Sequence, residues 1–224
     1  MSSKDKERIL YPHIILCEGM DEWSFFVNYL SYLIKEDEVF NSIQVIDFGG
    51  ITDLKKQFRQ LIKMPGFSMV KSILIVRDAE TSPQGAKDSI CSTLNNNGYR
   101  SPNKSGEIVM GSDNVMIAYM LFPSCDEKGN EAGTLEDLCL RIISEPNHDN
   151  VLNEIDDYLS VMKSKYSMNY PRIHKNKLHM LISSYDKYVG AKVGEAGQRG
   201  LYNWHSEHLS KMRDIMYKLC LGNQ

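Results

Sequence analysis

The sequence has no long apolar run and no pair of cysteines at the spacing of a metal site. Among its 224 residues, no segment approaches the roughly 18 consecutive apolar residues of a membrane-spanning helix. The five cysteines lie far apart and none forms a CxxC pair, which excludes a zinc site of that type. Their odd number argues against a complete disulfide framework, so we expect reduced thiols that are mostly buried.

The chain also lacks the sequence features of export and of nucleotide binding through a P-loop. The amino-terminal stretch MSSKDKERIL is charged and has no apolar core of a signal peptide, so we expect a cytoplasmic protein without membrane contact. There is no Walker motif, no G-x-G-x-x-G and no internal repeat. A hydrophobic content of 42% and a charged content of 25% are typical of globular proteins. This length fits one large domain, or one domain with a helical extension.

The formal net charge of −3 hides two segments of opposite sign. Residues 126–157 contain ten acidic and two basic residues, whereas residues 160–200 contain eight basic and two acidic ones. A local basic segment can contact phosphates even in an acidic chain, and it can equally be a solvated helical face. The candidate nucleic-acid contacts in it are Arg172, Lys175, Lys177 and Arg199.

Strands and helices alternate in the first half of the sequence. The predicted strands are residues 13–17, 43–48, 72–77 and 114–122. The predicted helices are residues 21–36, 53–63 and 85–94. The third strand, SILIVR, is apolar without alternation, as in a parallel sheet that is covered on both faces. We therefore predict an α/β fold with a mostly parallel sheet of about four strands flanked by helices.

The second half predicts an α-helical region. Thr134 is expected to cap a helix, with Asp137 in the capping-box position three residues later. Further helices are predicted over residues 149–165, 172–186 and 201–220. The glycine-rich stretch GAKVGEAGQRG is predicted to be irregular, and with Trp204 it would form either a mobile binding loop or a spacer. We expect an α/β core over residues 1–125 and a helical region over residues 126–224 that packs on the core or completes it.

Acidic residues follow the first and third predicted strands directly. Glu18 follows the first strand, and Asp78 and Glu80 follow the third. Ligands gather at the carboxyl ends of parallel strands, and alternate residues in extended backbone point the same way. If the two strands are neighbours, the three carboxylates meet, and they repel each other unless they are protonated or bind a cation. Oxygen ligands suit Mg²⁺ or Mn²⁺, whereas ordinary surface acids at strand ends remain the alternative.

The stretches LCEGMDEWSFF and ILIVRDAE together resemble the TOPRIM fold of topoisomerases, bacterial primases and the nucleases of the overcoming-lysogenisation-defect (OLD) type. The resemblance covers roughly residues 10–125. Within that group the chain is most similar to small, stand-alone bacterial TOPRIM-related proteins whose function is not established. The shared features are Glu18, Gly19 and Asp21, then the GTLEDL stretch from Gly133 to Leu138, and then the glycine-rich stretch from Gly194 to Gly200.

The resemblance implies a metal site built from these acids. Glu18 takes the place of the general acid or base, or of a metal ligand, and Asp78 takes the place of the first metal-binding aspartate. Glu80 stands where the family usually has a second aspartate, a departure that would shift the metal geometry. Asp21 is a further candidate ligand, although helix capping explains it equally well. Glu136 is a candidate from the second acidic cluster of OLD-type enzymes, or simply an acid in the first turn of a helix.

These residues together predict metal-dependent phosphoryl transfer, with nucleic-acid cleavage as the leading expectation. Mg²⁺ or Mn²⁺ would neutralise the acids and lower the pKa of an attacking water. The substrate would be DNA or RNA, and any ATPase partner must be a separate protein because this chain has no Walker motif. The second hypothesis is a non-catalytic module that binds nucleic acid, a nucleotide or a partner. A small-molecule phosphatase or nucleotide hydrolase is a third.

Overall fold

A single sheet forms the centre of the fold in the computed structural model, which describes residues 8–47, 49, 54–125 and 130–222. In these ranges the sheet has five strands: β1 (His13–Cys17), β2 (Ile43–Asp47), β3 (Ser72–Asp78), β4 (Val109–Met110) and β5 (Met116–Phe122). Their order is β2-β1-β3-β5-β4, with β4 antiparallel to β5 and every other pair parallel. The predicted α/β fold with a mostly parallel sheet is confirmed. The edge strand β4 was not predicted, because two residues show no periodicity.

Helices cover both faces of the sheet. Helix α1 (Met20–Leu33) packs on one face, and α2 (Leu54–Leu61) and α3 (Pro83–Asn95) pack on the other. Every residue of β1, β3 and β5 is buried, which explains why these strands are continuous apolar runs without alternation. The predicted start of α2 at Asp53 lies outside the described residues.

The carboxy-terminal half adds five helices in the described residues. They are α4 (Leu135–Arg141), α5 (His148–Tyr166), α6 (Ile173–Ser183), α7 (Val193–Gln198) and α8 (Ser210–Leu221). Their apolar residues share one core with α1 and the sheet face beneath it: Leu135, Leu178 and Met212 belong to the same buried cluster as Phe25 and Phe122. The helical region thus completes the core on this face. None of the helices described is long and apolar enough to cross a bilayer.

Two predictions for the last quarter of the chain are wrong. The glycine-rich stretch is not irregular, because Val193–Gln198 forms α7, in which Gly194 is buried against α1 and Gly197 against Tyr202 and Trp204. A Cβ atom at Gly194 would lie 1.9 Å from Ser24 Oγ, so glycine here permits close helix packing rather than mobility. The helix predicted from residue 201 starts later, because Tyr202 forms a bridge with Ile143; a 3-10 turn at Glu207–Leu209 leads into α8, which begins at Ser210.

The two segments of opposite charge pair with each other across the helical region. Lys175 Nζ lies 2.8 Å from Glu136 Oε1, and Lys177 Nζ lies 2.5 Å from Asp156 Oδ1. These pairs join α6 to α4 and α5, respectively. Acidic and basic side chains of the two segments therefore partly neutralise each other within the molecule.

We expect Gly194→Ala to lower the free energy of unfolding by roughly 1–3 kcal/mol, because the added methyl group overlaps the Ser24 side chain. Urea-induced unfolding measures this change. The same substitution is also made in a Ser24→Gly background, which removes the overlapping side chain. Ser24→Gly alone should lower the free energy of unfolding by about 1 kcal/mol, because glycine is unfavourable within a helix. Gly194→Ala should cost much less in that background, and equal costs in both backgrounds would contradict the close packing of α1 and α7.

Candidate functional site

The candidate site lies at the carboxyl edge of β1 and β3, where the order of strands reverses. The chain continues from β1 to β2 on one side, and β3 lies on the other side of β1, so the gap between β1 and β3 is a topological switch point. The parallel register pairs Leu16 with Ile75. It brings Glu18, two residues further on, beside Arg77, with Glu18 Oε2 3.6 Å from Arg77 Nε. The two strands are neighbours, as the proposed meeting of acids requires.

Asp78 is the last residue of β3, and its side chain is buried. Its Oδ1 accepts a hydrogen bond of 2.9 Å from the backbone N–H of Leu135, at the start of α4. Burial, together with the negative charges of Glu22 and Glu136, raises the pKa of Asp78 to about 9. Asp78 is thus a buried carboxyl group that lacks a cation strong enough to hold it ionised.

Glu22 is a member of the site that the sequence reasoning missed. It lies in the first turn of α1, and only 7% of it is exposed. Burial, together with the negative charges of Glu18, Glu136 and Asp21, raises the pKa of Glu22 to about 7. Glu22 shares the inward face of α1 with Phe25 and Phe26, so a charged residue within an apolar stripe was the signal that could have found it.

Glu136 lies in the first turn of α4 and is 1% exposed. Its carboxylate accepts hydrogen bonds from Lys175 Nζ at 2.8 Å and from Thr134 Oγ1 at 2.7 Å. Burial alone would raise the pKa of Glu136, but the bonds from Lys175 and Thr134 outweigh burial, and the pKa is lowered. Thr134 caps α4, and its N–H donates to Asp137 Oδ2 at 2.8 Å, which confirms the predicted capping pair.

Glu18 and Arg77 form a charge contact that leaves hydrogen-bonding capacity unused. Their separation of 3.6 Å is too long for a hydrogen bond, so Glu18 Oε2 and the Nε and Nη1 of Arg77 are buried without a hydrogen-bond partner among the described residues. Burial raises the pKa of Glu18, the charge of Arg77 opposes that rise, and the charge of Glu80 adds to it. A buried carboxylate oxygen without a donor is free to accept one, or to bind a cation.

Glu80 and Asp21 lie at the rim of the site. Glu80 is exposed and has a φ of +51°, so the extended alternation that would align it with Asp78 ends before it. Its backbone instead pairs with Gly133 through two hydrogen bonds of 2.8 Å. Asp21 is not the N-cap of α1, because the helix begins at Met20 with Gly19 as its cap, but its charge contributes to the raised pKa of Glu22.

The basic candidates do not form one surface. Lys175 and Lys177 are paired with Glu136 and Asp156. The Nη1 of Arg199 donates to the carbonyl of Lys187 at 3.4 Å. Arg172 is exposed at the start of α6 and has no carboxylate partner in the described part of the chain. Lys175 therefore belongs to the acid site as a counter-ion rather than to a free basic face.

We call the four inward acids, Glu18, Glu22, Asp78 and Glu136, the acid cluster. An oxygen-only donor set suits Mg²⁺ or Mn²⁺, and the unpartnered Glu18 oxygen and the raised pKa values fit a site that gains from a cation. Yet no three acidic, histidine or cysteine side chains of the described residues converge closely enough to hold a metal. The donors fit by their chemistry, and Lys175 occupies one oxygen of Glu136 that a cation would need.

The chain matches one known protein family. Residues 12–221 match the model of the family described as "Protein of unknown function (DUF3226)". No curated protein and no solved structure matches the chain.

In metal-free protein, we expect the free energy of unfolding to fall as pH rises from 5 to 8. The folded chain keeps protons on Glu22 up to about pH 7 and on Asp78 up to about pH 9. The unfolded chain loses these protons near pH 4. Each such carboxyl group contributes a slope of up to about −1.4 kcal/mol per pH unit. Urea unfolding in EDTA at several pH values measures the slope.

The comparison with variants isolates these two groups. Glu22→Gln and Asp78→Asn should each flatten the slope, and Glu154→Gln on the exposed face of α5 should leave it unchanged. Burial and the charge of Lys71 lower the pKa of His13, which gives the opposite slope near pH 6, but this contribution is common to all variants. Identical slopes in the wild type and both site variants would show that neither carboxyl group is held protonated by the fold.

Proposed function

The chain belongs to the family described as "Protein of unknown function (DUF3226)". From the pattern and placement of its acidic residues we propose that it is a TOPRIM-like, Mg²⁺- or Mn²⁺-dependent phosphoryl-transfer enzyme that cleaves nucleic-acid phosphodiesters. The observation that supports this proposal is the convergence of the acid cluster on the switch point between β1 and β3. Four carboxyl groups lie near it: Glu18 follows β1, Asp78 ends β3, and Glu22 and Glu136 lie in the first turns of α1 and α4. Such crowding lowers the free energy of unfolding, and carboxyl groups with perturbed pKa values cluster at sites of binding or chemistry.

In this proposal Asp78, Glu22 and Glu136 hold the cation. A bound divalent ion would neutralise the carboxylates, polarise the scissile phosphate and lower the pKa of an attacking water. The backbone N–H of Leu135 donates a hydrogen bond to Asp78 Oδ1 and so orients the carboxyl group. Glu136 is likewise oriented by Thr134.

Glu18 is the proposed general acid or base. Its side chain is 14% exposed, so unlike Asp78 it reaches solvent or a substrate at the edge of the sheet. Burial moves the pKa of Glu18 upward, towards the pH at which a carboxyl group can both donate and accept a proton. The charge of Arg77 limits that shift.

The presence of glutamate rather than aspartate at position 80 leaves the inward-facing candidate ligands unchanged. Glu80 is exposed and affects the site through its charge on Glu18. Glu22 instead supplies an inward carboxyl group. The proposal therefore does not depend on Glu80 matching the family's second aspartate.

A second candidate function is a non-catalytic module that binds nucleic acid, a nucleotide or a separate partner ATPase. The observation that favours it is the presence of two cationic side chains in the site, Arg77 beside Glu18 and Lys175 on Glu136. These two positive charges supply part of the counter-charge that a metal would supply, as expected of a site that no longer binds a catalytic ion. Metal binding and cleavage must therefore be measured separately.

Purified protein with Mn²⁺ or Mg²⁺ is expected to cleave labelled single- or double-stranded DNA or RNA. Glu18→Gln and Asp78→Asn should reduce the rate by about 100-fold or more, because each removes a proton-transfer group or a metal ligand. Glu154→Gln serves as the matched control and should retain full activity. Cleavage that persists in both site variants would identify a contaminant or a different site.

Mn²⁺ is expected to raise the melting temperature of the wild-type protein, with stabilisation of about 2.7 kcal/mol when free metal is 100 times the Kd. Asp78→Asn and Glu22→Gln should lose most of this shift, and Glu154→Gln should keep it. Calorimetry at pH 7.5 over a range of Mn²⁺ concentrations gives the measurement. A shift without cleavage of any phosphodiester would favour the non-catalytic module, and no shift at all would contradict both forms of the metal site.

A further inference from the structure

Helix α2 presents a basic face to solvent. Lys55, Lys56, Arg59 and Lys63 are all exposed, and together with Gln60 they line one open groove of about 390 Å³. Lys56, Arg59 and Lys63 follow the i, i+3, i+7 spacing that places side chains along one helical face. We call these four basic residues the α2 basic face.

The opposite side of α2 anchors this face rigidly to the sheet. Leu54, Phe58 and Leu61 are 0–2% exposed and belong to the apolar core beneath the sheet face that α2 and α3 cover. Hydrophobic burial therefore fixes the orientation of the helix, and the four basic side chains project outward from a firm support.

Within the described residues, the charges of the α2 basic face find no acidic partner. None of the four side chains makes an ion pair or a hydrogen bond with a carboxylate of the described residues, in contrast to Lys175 and Lys177. Lys63 also borders a second cavity that contains Asp113, so Lys55, Lys56 and Arg59 carry most of the argument. In a chain of net charge −3, a concentrated unpaired positive surface is suited to an anionic partner.

The position of α2 links this face to the acid cluster. Strands β1, β2 and β3 are parallel, so their carboxyl ends lie at the same edge of the sheet. Helix α2 begins after β2 leaves that edge, and it runs back along the sheet. Lys55 and Lys56 therefore lie at the end of α2 nearest the acid cluster, and Lys63 lies at the far end.

The dimensions and composition of the face fit a sugar-phosphate backbone. From Lys55 to its last residue, Leu61, α2 rises about 9 Å, which spans about three phosphates of one strand at about 3.4 Å each. A membrane-surface helix would also insert apolar side chains on its outer face, whereas here the outer face consists of lysine, arginine and glutamine. Exposed lysine and arginine side chains that contact phosphates predict binding that depends mainly on charge.

We propose that the α2 basic face binds the phosphate backbone of a nucleic acid and leads it towards the carboxyl edge of β1 and β3. The substrate role of that nucleic acid rests on the proposed function, whereas the binding itself does not require catalysis. The backbone contacts are thereby assigned to α2 rather than to the basic segment that follows residue 160, where Lys175 and Lys177 are already paired.

The test is equilibrium binding of fluorescently labelled single-stranded DNA, double-stranded DNA and RNA to the full chain in EDTA, at salt concentrations from 50 to 200 mM. Lys56→Ala/Arg59→Ala should weaken binding by roughly tenfold or more at 0.1 M salt, and should reduce the salt slope by about two for a duplex. Lys56→Arg/Arg59→Lys keeps the charge and should bind like the wild type. Circular dichroism and melting temperature check that each variant is folded.

Lys163→Ala/Lys218→Ala is the matched control, because it removes the same charge from exposed positions on α5 and α8. It should change the affinity and the salt slope much less than the α2 variant. Equal effects of the two double variants would show only a dependence on total charge, and would overturn the proposal. Preferential binding of the wild type to anionic phospholipid vesicles, lost in the α2 variant, would also overturn it.

The outcomes separate this inference from the proposed function. If the wild type cleaves nucleic acid and the α2 variant binds and cleaves equally well, the α2 basic face is not the backbone site, although the nuclease proposal stands. If the α2 variant loses binding while no form of the protein cleaves any phosphodiester, the binding face stands and the nuclease proposal fails. A wild type that binds none of the three nucleic acids overturns the inference outright.

Discussion

The burial of several carboxyl groups at one edge of the sheet is the constraint on which the rest of the site depends. Each buried carboxylate loses hydration, and its neighbours repel it, so the fold must protonate these groups or supply positive partners. Both responses are present. Burial and neighbouring acids raise the pKa of Asp78 to about 9, whereas Lys175 and Thr134 hold Glu136 ionised. Arg77 provides a second positive charge within the sheet itself.

The acid cluster cannot be assigned to the α/β core alone. Two of its acids follow or end strands β1 and β3, but the hydrogen bond to Asp78 comes from Leu135 in α4, and the counter-ion Lys175 comes from α6. The helical region therefore completes the site as well as the core. A fragment ending near residue 125 would lack Glu136 and would expose the apolar face that α4, α6 and α8 cover. The packing of the helical region on the sheet therefore both completes the core and assembles the site.

The sequence predicted the features that depend on local pattern. Buried parallel strands are continuous apolar runs, so the four main strands and the acids at the ends of β1 and β3 were predicted correctly. What failed depends on long-range packing. The glycines of α7 were taken for an irregular segment, because the fit of Gly194 against Ser24 involves residues 170 positions apart. Glu22 and the positive φ of Glu80 were missed for a similar reason, since neither burial nor a turn at that position follows from spacing.

The α2 basic face and the acid cluster carry opposite charges, although α1 and α4, which carry Glu22 and Glu136, pack on the sheet face opposite to α2. The two sites therefore have opposite effects on a phosphate. The α2 basic face attracts a phosphate backbone, but a phosphate that reaches the acid cluster is repelled for as long as the carboxylates are ionised without a cation. A cation bound there would remove that repulsion, and a phosphate beside it would in turn strengthen cation binding. By linkage the two effects are equal in free energy, so metal and nucleic acid would bind cooperatively if both proposed sites are correct. Lys175, already on Glu136 at 2.8 Å, stands in for part of that cation and would weaken the coupling.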